Sequence, residues 1–266
     1  MATEQFARGI DPAVAEQGDI DRLVPGWYGK MPGLGDFASR RLPADFIEFW
    51  DSWLQRSIAA SRQALGDAWL GAFLRSPMWR FVLAPGLHGP DGWAGLLIPS
   101  VDSVGRYFPM TFAVRIPPPS SSVTRVLSAS GWYAALEEVG LRTLSTDFTP
   151  DHLEAALGQV PLELRTSEHQ VVADEFLAWS PDRAAPPLCV TVSGGDSIGS
   201  LIDETARLHF ANAVWGKSMW WCIAADARTT ELHCMHGLPS DDYFAVMLRG
   251  IADERDPTID VQPLRI

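Results

Sequence analysis

Hydrophobic positions along the chain recur with two periods, and these set the elements it predicts. Phe46, Phe49, Trp50, Trp53, Leu54 and Ile58 repeat at helical spacing and make one apolar face. Pro43 suits a first turn and Gly66 a C-terminal stop, so a helix is expected over 43–65. Its acids (Asp45, Glu48, Asp51) come early and Arg56 and Arg62 late, as the helix dipole favours. A second helical segment over 68–75 ends at Ser76-Pro77. The runs 79–83 and 93–98 flank a Gly- and Pro-rich loop and read as an antiparallel hairpin. From 110 to 116, Met, Phe, Val and Ile alternate with Thr, Ala and Arg, the pattern of a half-buried strand.

Helices are expected over 126–141 and 150–160, the second with Thr149 as N-cap and Pro150 in first position. Weak periodicity and several prolines make 161–187 a long surface crossover, followed by a short strand at 188–192 and a helix over 201–214. A second hairpin joins 219–224 to 231–235. The last helix, 241–251, is capped by Ser240 and faces Tyr243, Phe244, Met247 and Leu248 inward. At the other end, residues 1–24 read as a mobile arm, with one short helix near 12–17. Order is expected from the aromatic strand 26–31, which Pro32-Gly33-Leu34-Gly35 stops. No internal repeat is visible. Interspersed helices, strands and hairpins imply an α/β fold, a mixed sheet containing antiparallel hairpins and covered by helices on both faces. The span 25–266 reads as one domain.

Composition narrows the partners. The 266 residues are 47% hydrophobic, with a formal net charge of −12. Such a surface repels phosphate backbones and anionic headgroups, so neither nucleic acid nor membrane insertion is expected, although Arg40-Arg41 is a local basic spot. No apolar run approaches the roughly 20 residues of a membrane helix. The first residues lack the apolar core of a secretory signal, so a cytoplasmic protein is expected. Cys189, Cys222 and Cys234 are scattered among apolar neighbours and read as reduced core residues. Lys30 and Lys217 are the only lysines, a scarcity read as codon bias.

The loop Ser193-Gly194-Gly195-Asp196-Ser197-Ile198-Gly199-Ser200 sits where a phosphate cradle would. Yet Ser200 stands where a P-loop has lysine, and Asp196 puts a negative charge in the bowl, so a plain turn is the better reading. Cys222, Cys234 and His236 might meet across the second hairpin with His233 pointing away, but no paired Cys-x-x-Cys spacing supports a metal. No nucleophile elbow and no zinc-protease motif is present. Pairs such as Glu137-Glu138 and Asp241-Asp242 read as solvated charge. Catalytic residues, metal and cofactor are all expected to be absent.

Two loops stand out instead: Gly33-Leu34-Gly35-Asp36-Phe37-Ala38-Ser39-Arg40-Arg41, and the run from Pro99 through Asp102 and Arg106 to Pro109. Each carries a carboxylate and at least one arginine, so Asp36 with Arg106, or Asp102 with Arg40 or Arg41, could pair across a cleft. Such pairs either brace two irregular loops, the simpler reading, or offer an edge to a partner's backbone or acidic segment.

The same residues carry a resemblance. Trp27-Tyr28-Gly29-Lys30-Met31-Pro32, Gly35-Asp36-Phe37, Arg40-Arg41 and Phe49-Trp50-Asp51-Ser52-Trp53-Leu54 come in a fixed order, followed by Trp79-Arg80-Phe81 and the 99–109 run. This order resembles the TagF family, also called ImpM. Ser218-Met219-Trp220-Trp221 and Gly237-Leu238-Pro239 extend the likeness, whereas 120–187 carries no motif by which to extend it. The resemblance implies a three-layer α/β/α sandwich. It also implies a non-catalytic, post-translational repressor of the bacterial type VI secretion system that binds its forkhead-associated scaffold protein. Asp36, Phe37, Arg40, Arg41, Asp102 and Arg106 are the candidate partner-binding or structural residues, because they lie in the motif loops. The competing reading is a small-ligand sensor or enzyme using the cleft between those loops.

Overall fold

The computed structural model describes residues 20–117, 122–165, 170–178, 189, 197–223 and 229–250. At its centre, seven strands run in the order β3-β2-β6-β5-β4-β8-β9. These are β2 (Gly26–Gly29), β3 (Ala38–Arg40), β4 (Trp79–Leu83), β5 (Gly92–Ile98), β6 (Met110–Ile116), β8 (Lys217–Ile223) and β9 (Thr230–His236). A second, two-stranded sheet pairs β1 (Ile20–Leu23) with β7 (Leu162–Arg165). Both anticipated hairpins form, β4–β5 and β8–β9. The α/β class stands, and every described pairing is antiparallel where a mixed sheet was anticipated.

Side chains alternate along each central strand and feed two cores. On one face Trp50, Trp53, Phe81, Trp93 and Trp220 pack with α1 (Ala44–Leu65), α2 (Trp69–Arg75) and α8 (Tyr243–Arg249). On the other, Val82, Leu96, Phe112 and Trp221 meet α3 (Ser122–Leu127), α4 (Ser130–Arg142) and α5 (Pro150–Gly158). Coverage on both sides explains why β6 is not half-buried as its alternation suggested: Thr111 and Ala113 are buried too, leaving Arg115 exposed. Indole N–H groups satisfy themselves within the core. Trp50 donates to Thr111 Oγ1 (2.8 Å), while Trp53 and Trp79 donate to the carbonyls of Pro239 and Met247 (2.8 and 3.1 Å) and tie the C-terminal segment down. Arg80, buried in β4, forms a two-pronged pair with Glu137 of α4 at 2.7 and 2.8 Å.

Several boundaries differ from expectation. Residues 20–23 form a strand, not part of an arm, because β7 supplies the pairing partner. The supposed crossover 161–187 contains β7 and α6 (Gln170–Ala178), and α6 packs on α7 (Ser197–Ala213). One helix expected over 126–141 is two, α3 and α4, interrupted at Ser128-Ala129. The last helix starts two residues late; Ser240 Oγ still accepts the Tyr243 N–H at 3.3 Å. Thr149 caps α5 as expected, in a capping box with His152. The short helix at 12–17, the Gly-rich turn up to Asp196 and the strand at 188–192, apart from Cys189, lie outside the described residues.

Candidate functional site

The two motif loops meet at the end of the sheet where β2 and β6 pair. Strand β2 ends at Gly29, with φ 142°, where a Cβ would lie 2.3 Å from the Pro109 carbonyl oxygen. Only glycine lets the segments pass this closely. The loops are then joined directly: Ser103 N–H donates to Leu34 O (2.9 Å), and Ser100 Oγ–H to Lys30 O (2.7 Å).

Asp102 organises this junction. Its Oδ1 accepts the backbone N–H groups of Val104 (3.1 Å) and Arg106 (2.8 Å), which folds the second loop into a tight turn. Its Oδ2 accepts Lys30 Nζ at 2.8 Å and Arg106 Nε at 2.6 Å. The Lys30 and Asp102 side chains are only 6% and 0% exposed, so this is a buried pair with a second, half-exposed cation at its rim. Burial alone would raise the Asp102 carboxyl. The hydrogen bonds from Lys30, from Arg106 and from Val104 outweigh it and hold the group well below the usual carboxylate range. Arg106 also donates to Gly35 O at 2.5 Å and so clips the first loop to the second.

The expected pairs are therefore re-sorted. Asp36 does not meet Arg106; its Oδ1 accepts the neighbouring Phe37 N–H at 2.8 Å and the side chain faces solvent. Asp102 meets neither Arg40 nor Arg41, because β3 carries those two to the α5 side of the sheet. There Arg41 bonds Glu154, and its Nε and Nη2 donate to Pro25 O at 3.1 and 2.8 Å. Arg41 is also the one non-glycine residue with positive φ (60°) among those described, a conformation its guanidinium contacts hold. Burial would raise the Glu154 carboxyl, but bonds from Arg41 and the Trp27 indole, with the Arg41 and Arg40 charges, lower it. Arg40 itself is exposed.

Phe37 is 42% exposed yet well held. It stacks on Tyr28 (5.8 Å, 9°), meets Phe108 edge-on (4.7 Å) and lies 4.7 Å from the Lys30 ammonium. Tyr28 in turn donates to Asp51 of α1 at 2.5 Å, which links the aromatic cluster to the helix layer. Lys30 is the residue that sequence reasoning missed, and its signal was there: a rare lysine in an arginine-dominated chain, inside the densest motif.

The cysteine trio does not assemble. Strand register sets Cys222 opposite Glu231 and Met219 opposite Cys234, so the two cysteines lie on opposite faces of the hairpin. Only Cys222 is buried, its thiol pushed up to about 12 by burial and the Glu231 and Glu137 charges. Cys189 and Cys234 are exposed, contrary to their reading as core residues. His233 shares the Cys222 face, where its ring nitrogens contact Tyr243 Oη and Glu231 Oε1 at 2.5 Å each.

Residues 26–160, the span holding both motif loops and all three helices of the α3–α5 layer, match the TagF N-terminal domain, described as type VI secretion system-associated. The chain belongs to the TagF family. A crystal structure of PA0076 from Pseudomonas aeruginosa PAO1 is similar over nearly all of both chains, 90% of this one and 98% of that one. The two are 33% identical, with a TM-score of 0.67. No curated protein matches the chain. The TagF match makes the protein type VI secretion-associated. Among the described residues no helix is long and apolar enough to cross a membrane.

Proposed function

We propose that this TagF-family chain acts by binding rather than catalysis. In this reading it restrains type VI secretion post-translationally from the cytoplasm, by holding the forkhead-associated scaffold protein of that system, and needs no cofactor. Family membership supplies the pathway. The observation that supports a binding role for the motif loops is the commitment of Asp102. Both oxygens of the best-sheltered carboxylate there are taken by Lys30, Arg106 and Val104, which fixes one loop against the other. A surface so braced is preorganised, which lowers the ordering cost of association. Phe37 stands on it as a rigid, half-exposed aromatic of the kind that anchors protein interfaces.

The test is genetic and biochemical together. Deleting the gene should raise secretion of a type VI effector, overexpression should lower it, and the tagged chain should retain the scaffold in a pull-down from its own host. Unchanged secretion in both strains, with the apparatus expressed, overturns the reading.

A further inference from the structure

The helix α7 buries one face and, on the other, exposes apolar side chains interrupted by Asp203 and His209. Leu201, Glu204, Leu208 and Ala211 are buried, the leucines against Ala173 of α6. Turned outward are Ile198, Ile202 and Phe210, at 62%, 61% and 43% exposure, together with Gly199, Ala206, His209 and Ala213. Gly199, Ala206 and Ala213 are seven residues apart, with Ile202 and His209 between them at the same interval. That is the two-position seam by which helices pair closely. A lone amphipathic helix would present a mostly polar surface here, without large exposed side chains such as Ile198, Ile202 and Phe210.

Gly199 adds an independent observation. Its φ lies outside the left-handed region, and a Cβ built on it would meet nothing within 4 Å. No internal contact of the described chain requires glycine, which costs a helix about 1 kcal/mol relative to alanine. Small residues on an outer seam serve the approach of a second backbone.

We propose that the outer face of α7 is a homodimer surface, occupied by α7 of a second copy in antiparallel, two-fold arrangement about Ala206. The occupant follows from self-complementarity, which a two-fold interface demands. With the axis at Ala206, that residue meets its own counterpart, Gly199 lies level with Ala213 of the second copy, and Ile202 lies level with Phe210 of the second copy. Small residues oppose small ones and bulky ones share a layer. Asp203 and Arg207 stand on the same flank of the seam. The axis sets Arg207 about 3 Å along the helix direction from Asp203 of the second copy, two residues of helical rise. The charges therefore cross-pair twice, once on each side of the axis, where the chain's overall −12 charge would otherwise oppose self-association. This inference does not depend on the secretion role proposed above.

The full-length chain alone tests it, by sedimentation and light scattering over a concentration series. Wild type should reach the dimer mass. Ala206→Arg, at an exposed helical position, should stay monomeric, with a thermal melt matching that of wild type diluted to its monomer. Asp203→Arg should weaken dimerisation and Asp203→Arg with Arg207→Asp should restore it, a rescue that requires two identical faces and does not rely on Ala206→Arg folding. A wild-type monomer throughout the series overturns the proposal and leaves the face to another protein. A dimer indifferent to Ala206→Arg, or one the double exchange does not rescue, overturns it equally.

Discussion

At the scale of single residues, Asp102 is the one on which the motif loops turn, and its chemistry gives a prediction with a definite sign. Its carboxyl is depressed in the folded protein. Its stabilising contribution is therefore fully present above the ordinary carboxyl value of about 3.9 and is lost as pH falls below it. Asp102→Asn removes that titration and leaves the buried Lys30 without its carboxylate. The urea midpoint of wild type should exceed that of Asp102→Asn most near neutral pH, and the gap should narrow as pH falls below about 4. A gap independent of pH would show that Asp102 does not act as a buried anion. Sequence made the importance of Asp102 and Arg106 legible, because charged residues among glycines in a motif loop need partners. It could not make the partners legible. Lys30 lies 72 positions from Asp102, and only the β2–β6 register brings them together. The same holds for Arg41, whose carboxylate, Glu154, lies 113 positions away on a helix the loop pattern says nothing about.

At the scale of elements, period and punctuation were good guides wherever an element closes on its own neighbours. The helix at 44–65, the hairpins β4–β5 and β8–β9 and the capped start of α5 are of this kind. They failed where the partner is distant. Strand β1 exists because β7 lies against it, and β3 is three residues held by β2. Strand β5 shows what burial on both faces does to a pattern. Its run Gly-Trp-Ala-Gly-Leu-Leu-Ile is buried throughout, and no alternation survives to be read. Gly95 there is a close-approach residue, since a Cβ would lie 1.9 Å from the Phe112 carbonyl oxygen and 2.8 Å from the Phe81 ring. Gly95→Ala should cost about 3 kcal/mol or more, because the obstacle is paired backbone that cannot step aside. A denaturant midpoint within error of wild type would mean that β5 and β6 shift past one another more freely than their register implies.

At the scale of the whole molecule, the motif end carries two kinds of arginine, which separate stability from recognition. Sequence put Arg40, Arg41 and Arg106 together as candidate partner-binding or structural residues. The geometry divides them. Arg41, wedged between Pro25 and Glu154, is as much a brace as Arg106, while Arg40 is exposed beside it. Arg41→Ala should lower stability by about 1–2 kcal/mol, the modest figure reflecting a pair still partly in solvent. Scaffold binding should then fall only in step with the folded fraction. Arg40→Ala should leave the melt unchanged, and Phe37→Ala should lower stability by only about 1 kcal/mol for lost ring contacts. If this end of the sheet is the recognition surface, Phe37→Ala should weaken scaffold binding by about 2 kcal/mol, roughly thirtyfold, and Arg40→Ala by less. Titrating each variant against the scaffold at a temperature well below every melt keeps the two effects apart. Wild-type affinity for both Phe37→Ala and Arg40→Ala would move the contact surface off the motif loops, whose order would then serve the fold alone. The proposed secretion role would be untouched by that outcome, since the deletion and overexpression strains test it independently of where the scaffold touches.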